Sequence, residues 1–212
     1  MNIRYKSFYV SILFLVLTSF AQANTIELGM STTLSGPNQN LGRAMYQGMQ
    51  AFFDETNQQG GVHGQKINFT VLDDGYEPTS VLENIRELID HHKVIAIVGN
   101  VGTPTAAVAA PKANARGVVF YGAFTGADIL RRTPPEPYIF NFRASYRQEM
   151  EMIVRNIIDD GISPHRIAFF LQDDSLGQTG FDMAKAALEK LGFKQTDDLL
   201  ITRYQRNSLS IH

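Results

Sequence analysis

An α/β fold built on a doubly wound parallel sheet is predicted by three observations. Short apolar, β-branched runs alternate with amphipathic helical patterns in the order β-α-β-α-β-α-β. Nearly every switch between them is marked by Gly, Pro, Asn or Asp. The clearest such unit runs from Val94 to Leu130. There a five-residue apolar run, Val94–Val98, turns at Gly99-Asn100-Val101-Gly102 and enters an Ala-rich helical stretch that ends at Gly117. A second apolar run, Val118–Tyr121, follows. The handedness of βαβ crossovers puts both of its loops at one end of the sheet, outside the carboxyl ends of the strands, where open α/β sheets bind ligands.

The elements are justified in turn. Thr25–Thr33 reads as the first strand, and Leu34-Ser35-Gly36-Pro37-Asn38-Gln39-Asn40-Leu41 as a turn-rich loop. A helix is predicted from Gly42 to about Gln59, with Met45, Met49, Phe52, Phe53 and Thr56 forming one buried stripe. Gly60-Gly61-Val62-His63-Gly64 stops it. Lys66–Leu72 alternates as a strand that Asp73-Asp74-Gly75 ends, and Pro78–His92 is amphipathic, with Val81, Leu82, Ile85, Leu88 and Ile89 inward. Val94–Val98 is expected to be buried on both faces.

The strongest break is Pro134-Pro135-Glu136-Pro137. Beyond it come a short strand at Tyr138–Asn141, a helix from Tyr146 to about Asp160 capped by Ser145, a strand at Arg166–Leu171, a helix at Gly180–Leu191 and a strand at Leu199–Tyr204. A second α/β unit therefore begins near Asn141, and it reaches His212 with few elements to close a core.

Composition narrows the function classes. A net charge of −2 and the lack of any Lys/Arg run give no footprint for nucleic acid or an anionic membrane. The chain has no Cys, which excludes disulfides, thiolate metal sites and a Cys nucleophile. Residues 1–23 read as a secretory signal. Arg4 and Lys6 precede an apolar core, Phe8–Leu17, too short to span a bilayer easily, and Ala21-Gln22-Ala23 is an A-x-A cleavage pattern. Cleavage after Ala23 would leave a periplasmic product with no stable membrane insertion.

Thr103 opens the central helix, with Pro104 in its first turn. Its hydroxyl either caps the helix or, with the N–H groups and the helix dipole, holds a carboxylate; spacing leaves both open. Gly99-x-x-Gly102 is neither a dinucleotide fingerprint nor a phosphate loop. Asp73-Asp74 and Asp173-Asp174 read as strand-end turns and caps before metal ligands. His91-His92 closes a helix, where neighbouring side chains diverge, so no metal is predicted there. Ser35 and Ser175 lack the setting of a hydrolase nucleophile, and no catalytic constellation stands out, so no enzyme and no cofactor is predicted.

Several stretches in one order carry a family resemblance: the opening strand with Leu34-Ser35-Gly36-Pro37, Asn57–Gly64, Asp73-Asp74, Ile97-Val98-Gly99 with Thr103-Pro104-Thr105, Gly122–Gly126, and Phe140–Tyr146. With them the chain resembles the type I periplasmic substrate-binding proteins of ABC transporters, in particular the branched-chain amino acid group. The resemblance implies two lobes, here 24–141 and 142–212, closing over an amino acid or a similar small carboxylate. It implies that Thr103 grips the carboxylate, with a carbonyl at Ala123 and a hydroxyl at Thr125, and that Ser35, Gly102, Phe124 and Tyr146 join the site. Leu41 and Leu176 stand where the family often places aromatics against the ligand. The implied partner is a membrane permease; a ligand-sensing module that signals to a partner uses the same fold. Family members continue for almost as long again and supply the acid that meets an ammonium group. On that comparison the second lobe is expected to be incomplete, and the chain a truncated, weakly functional copy.

Overall fold

The computed structural model describes residues 25–210; the predicted secretory signal lies outside the described residues. The chain runs β1 (Ile26–Thr32), α1 (Gln39–Gln58), β2 (Ile67–Asp73), α2 (Pro78–Arg86) with a π-helical turn at Glu87–His91, β3 (Ala96–Val98), α3 (Thr103–Ala115), β4 (Val119–Tyr121) and β5 (Ile139–Phe140). It continues through α4 (Tyr146–Asp159), β6 (Ala168–Gln172), α5 (Ser175–Lys190) and β7 (Leu200–Tyr204).

β1 to β5 form one sheet in the order β2-β1-β3-β4-β5, and every neighbouring pair is parallel. The chain moves from β1 to one edge, then returns to build the other side, so β1 and β3 are neighbours with diverging connections. That is the switch point of a doubly wound sheet, and a crevice opens there at the carboxyl ends. α2 and α3 cover one face. Val81, Ile85, Leu88 and Ile89 meet Ala106, Ala109, Ala110 and Ala113 over Ile97 and Phe120. The alanines let α3 sit close to both the sheet and α2. α1 covers the other face, where Phe53 meets Phe69 edge-on at 5.0 Å.

The second unit is smaller. β6 and β7 are parallel, and α4 and α5 close a separate core of Val154, Leu171, Phe181, Ala184, Ala187, Leu188 and Leu199. α4 starts with a capping box: Ser145 Oγ accepts the Gln148 N–H, and the Gln148 side chain accepts the Ser145 N–H.

Four sequence expectations are corrected. α1 begins at Gln39 rather than Gly42, because the Gly36-Pro37 turn already starts it, with the Gln39 N–H donating to Gly36 O at 3.2 Å. Gly42 lies inside the helix, where a Cβ would meet Thr33 O at 2.0 Å; the helix leaves the strand so closely that no side chain fits. α5 begins at Ser175 rather than Gly180, because Asp174 caps the Leu176 N–H at 2.9 Å. The stripe of α1 is only half-buried, and Phe52 falls outside it at 66% exposure; its packed side includes Tyr46 and Phe53. β3 is shorter than the apolar run, and Ile95 is 60% exposed instead of buried.

Candidate functional site

The loops after β3 and β4 are knitted together. Phe124 N–H donates to Asn100 O at 2.6 Å, and Gly102 N–H to Phe124 O at 3.3 Å, so Val101 and Phe124 pair as a parallel bridge beyond the strand ends. Asn100 is buried and fixes the loop to the sheet by donating to Ser31 O at 3.2 Å. Thr105 Oγ1 donates back to the carbonyls of Val101 and, at 3.0 Å, Gly102. A loop so tied presents Thr103 in one orientation.

Thr103 does not cap α3. Gly102 occupies the N-cap position and makes no side-chain bond, and its carbonyl accepts the Ala106 N–H at 3.1 Å. The Thr103 hydroxyl instead lies 2.7 Å from Thr125 Oγ1. Thr125 Oγ1 accepts the Ala127 N–H at 3.2 Å and lies 3.3 Å from the Tyr146 hydroxyl. Three hydroxyls thus form a row reaching from the five-stranded unit to α4. Two of their protons satisfy the row, and the third can be given to an acceptor. With the first turn of α3 beside it, the row suits an anionic oxygen.

The other predicted residues sort into two groups. Ala123 is buried, and its carbonyl accepts the Thr125 N–H at 2.8 Å, which leaves one lone pair. Phe124 carries the Arg143 guanidinium over its ring at 4.3 Å. Gly102, Thr103, Ala123, Phe124, Thr125 and Tyr146 are therefore contiguous. Ser35, Leu41 and Leu176 are not bonded to that cluster. The Ser35 N–H and side chain go to Asp73, Leu41 sits exposed on the first turn of α1, and Leu176 begins α5.

Four further residues were not singled out from sequence: Tyr76, Glu77, Gln172 and Arg206. Tyr76 is buried with φ +64, a left-handed conformation that is unusual for an aromatic residue. Its ring covers Gly102 so closely that a Cβ there would lie 2.1 Å from Tyr76 Cε2. Gln172 Nε2 donates across to Tyr76 Oη at 3.4 Å. The only signal in the sequence was the Asp74-Gly75 turn before Tyr76.

That turn is organised by two carboxyl groups. Asp73 Oδ1 accepts N–H bonds from Leu34, Ser35 and Gly75, which makes Asp73-Asp74 a turn as expected. Partial burial pushes the Asp73 carboxyl up, but these bonds and the Ser35 hydroxyl outweigh it and hold it below its ordinary range. Asp74 lies beneath the turn. Burial pushes its carboxyl up to about 6, against the bonds it accepts from the Tyr76 N–H and the Ser31 hydroxyl. Burial also raises the Tyr76 phenol to about 12, so it stays neutral.

Comparison with known proteins agrees with this architecture. The sequence pattern of the periplasmic binding protein family matches residues 25–208. A possible leucine/isoleucine/valine-binding protein from Rhodopirellula baltica SH 1 superposes with a TM-score of 0.84 at 40% identity, over 90% of this chain and 51% of that one. An amino acid binding protein of Pseudomonas aeruginosa is 25% identical over 84% of this chain and 47% of its own length. A solute binding protein of an R. palustris ABC transporter, solved with benzoate, shares the fold with a TM-score of 0.76 at 19% identity, over 88% and 50% of the two chains. The chain spans about half the length of the relatives it matches.

Proposed function

The chain belongs to the periplasmic binding protein family, and on that premise we propose that it binds a small carboxylate of the amino-acid class for the permease of an ABC transporter. The family consists of binding proteins rather than enzymes. The observation that carries the proposal is the pair of buried hydroxyls beside the switch point, Thr103 at the start of α3 and Thr125 in the loop after β4. We take 24–141 and 142–212 as two lobes that face each other across it.

In this reading a ligand carboxylate takes its place beside the Thr103–Thr125–Tyr146 row. It accepts the unused hydroxyl proton, and the dipole of α3 favours its charge. The Ala123 carbonyl offers its remaining lone pair to a donor on the ligand. Leu41 and Leu176 make an aliphatic side-chain contact, and Tyr76 closes the floor over Gly102.

Calorimetry of the purified chain with free amino acids and with their carboxamides tests this. Binding of an acid with no binding of its amide is expected. Equal affinity for acid and amide would remove the carboxylate grip.

Export belongs to the same proposal. No helix among the described residues is long and apolar enough to cross a membrane. Mass spectrometry of the periplasmic fraction is expected to find Asn24 at the N-terminus. A product retaining Met1 would refute cleavage after Ala23.

A further inference from the structure

The segment after β7 forms a turn at Gln205–Ser208 and docks on the first unit. Arg206 lies between two carboxylates from different units, 2.9 Å from Glu77 Oε2 and 3.2 Å from Asp174 Oδ2. Burial alone would lower the Arg206 pKa, but the two carboxylates outweigh it. Asn207, with φ +60, donates to Gly75 O at 3.0 Å and Glu77 Oε1 at 2.7 Å, and accepts from Asn38 at 3.2 Å. A left-handed conformation is one that Asn tolerates. Gln172 completes the set, donating to Asp174 Oδ2 at 2.6 Å as well as reaching Tyr76. The Tyr76-Glu77 dipeptide is thus held from both of its side chains by the second unit.

The place of these contacts in the sheet gives them their meaning. The covalent crossover leaves β5, at one edge of the sheet, and the start of α4 is bonded to the loop after the neighbouring β4 by Tyr146 N–H to Gly126 O at 2.8 Å. The Glu77 turn follows β2, at the opposite edge. Thr103 and Thr125 follow the inner strands β3 and β4, between the two attachments. A unit tethered at one edge alone can swing away from such a site; a tie at the far edge stops it.

We propose that the Arg206-Asn207 turn is an ionic latch that holds the second unit closed over the Thr103 loop without ligand. It extends the two-lobe reading above, but its test uses no ligand, so a failed ligand screen leaves it standing. The latch is partly exposed, with Arg206 at 24% and Glu77 at 45% side-chain exposure, so it is strong enough to bias closure and weak enough to release.

The chain has no Cys, so Gln58→Cys on α1 and Asn156→Cys on α4, both exposed, place two spin labels uniquely. Pulsed dipolar spectroscopy on the full chain should give one narrow distance at low salt. Arg206→Ala and Glu77→Gln should each add a longer population, raising the open-to-closed ratio roughly three- to tenfold. About 1 M salt, with its Debye length of roughly 3 Å, should do the same. Glu77 lies outside the second unit, so Glu77→Gln leaves that unit's core intact. One unchanged distance distribution across the parent, both variants and high salt would overturn the latch. So would broadening in Arg206→Ala alone, accompanied by loss of helical signal.

Discussion

Thr103 Oγ1 lies 2.7 Å from Thr125 Oγ1, and neither residue has any solvent exposure. Each hydroxyl is the other's partner until something better arrives. Thr125→Ala leaves both Thr103 Oγ1 and the buried Ala127 N–H without that partner and should cost roughly 1–3 kcal/mol in stability, whereas Thr103→Ala should cost less because Thr125 Oγ1 keeps Ala127 and Tyr146. Replacing both with Val keeps the shape but takes the acceptor from the buried Ala127 N–H, so the double Val variant should also lose roughly 1–3 kcal/mol in urea and should lose carboxylate binding in calorimetry. Retained binding in that variant would place the grip elsewhere.

Gly102 and Tyr76 make a second coupled pair. Gly102 has φ +96, and a Cβ there meets the Tyr76 ring at 2.1 Å. Gly102→Ala combines backbone strain with overpacking and should lower stability by roughly 2–4 kcal/mol. Adding Tyr76→Ala removes the clash but not the strain. The double variant should thus lose less than the two single losses summed, as a denaturation cycle would show. Strict additivity would mean that the ring and the loop are not in contact.

The βαβ unit from Val94 to Tyr121 was plain in the sequence because buried parallel strands and an alanine-rich helix leave apolar runs of different length and period. The doubly wound parallel class followed from the alternation of strands and helices; the strand order β2-β1-β3-β4-β5 comes from the structure. Thr103 stood out because it opens a helix at a strand end, and Thr125 entered only through the family resemblance. Their direct bond did not stand out, because it joins two loops through tertiary structure. Tyr76 and Arg206 were hidden for the same reason. Their partners lie far away in sequence, and a Tyr after Asp-Gly or an Arg in a polar tail has no periodicity to betray it. Phe52 misled because its spacing fits the stripe, yet the helix is packed along one narrow side only.

Asp74 gives a pH dependence with a definite sign. Its folded pKa, about 6, stands above the ordinary value of 3.8, so the folded chain holds a proton that the unfolded chain releases. The stabilisation is present below the ordinary value and is lost as pH rises toward about 6, by up to about 3 kcal/mol. Urea midpoints should fall for this group between roughly pH 4 and pH 6 and then level off. Asp73 opposes it, since its lowered pKa adds stability that is lost as pH falls. Asp74→Asn should abolish the falling limb and leave the acid-side loss. A falling limb of the same size in Asp74→Asn would assign it to another group.

The two units should differ in local stability, because their sheets are covered differently. β3 lies between β1 and β4, with Ile97 and Phe120 sealed under α2 and α3. β6 and β7 have only each other, and two strands are marginal without support on their faces. One face has that support, through Leu171 on Phe181 and Leu188. On the other, Phe170 is 54% exposed and leans on Tyr204 at 4.8 Å, while Leu200 is 70% exposed. Opening β6 from β7 therefore uncovers little new apolar surface, whereas opening β3 uncovers the main core. Since local opening costs scale with what is uncovered, amides of Ala96–Val98 and Val119–Tyr121 should exchange at least roughly tenfold more slowly than those of Ala168–Leu171. Native-state hydrogen exchange read by mass spectrometry resolves these segments. Equal protection in both would mean that the second unit draws its stability from docking on the first rather than from its own core.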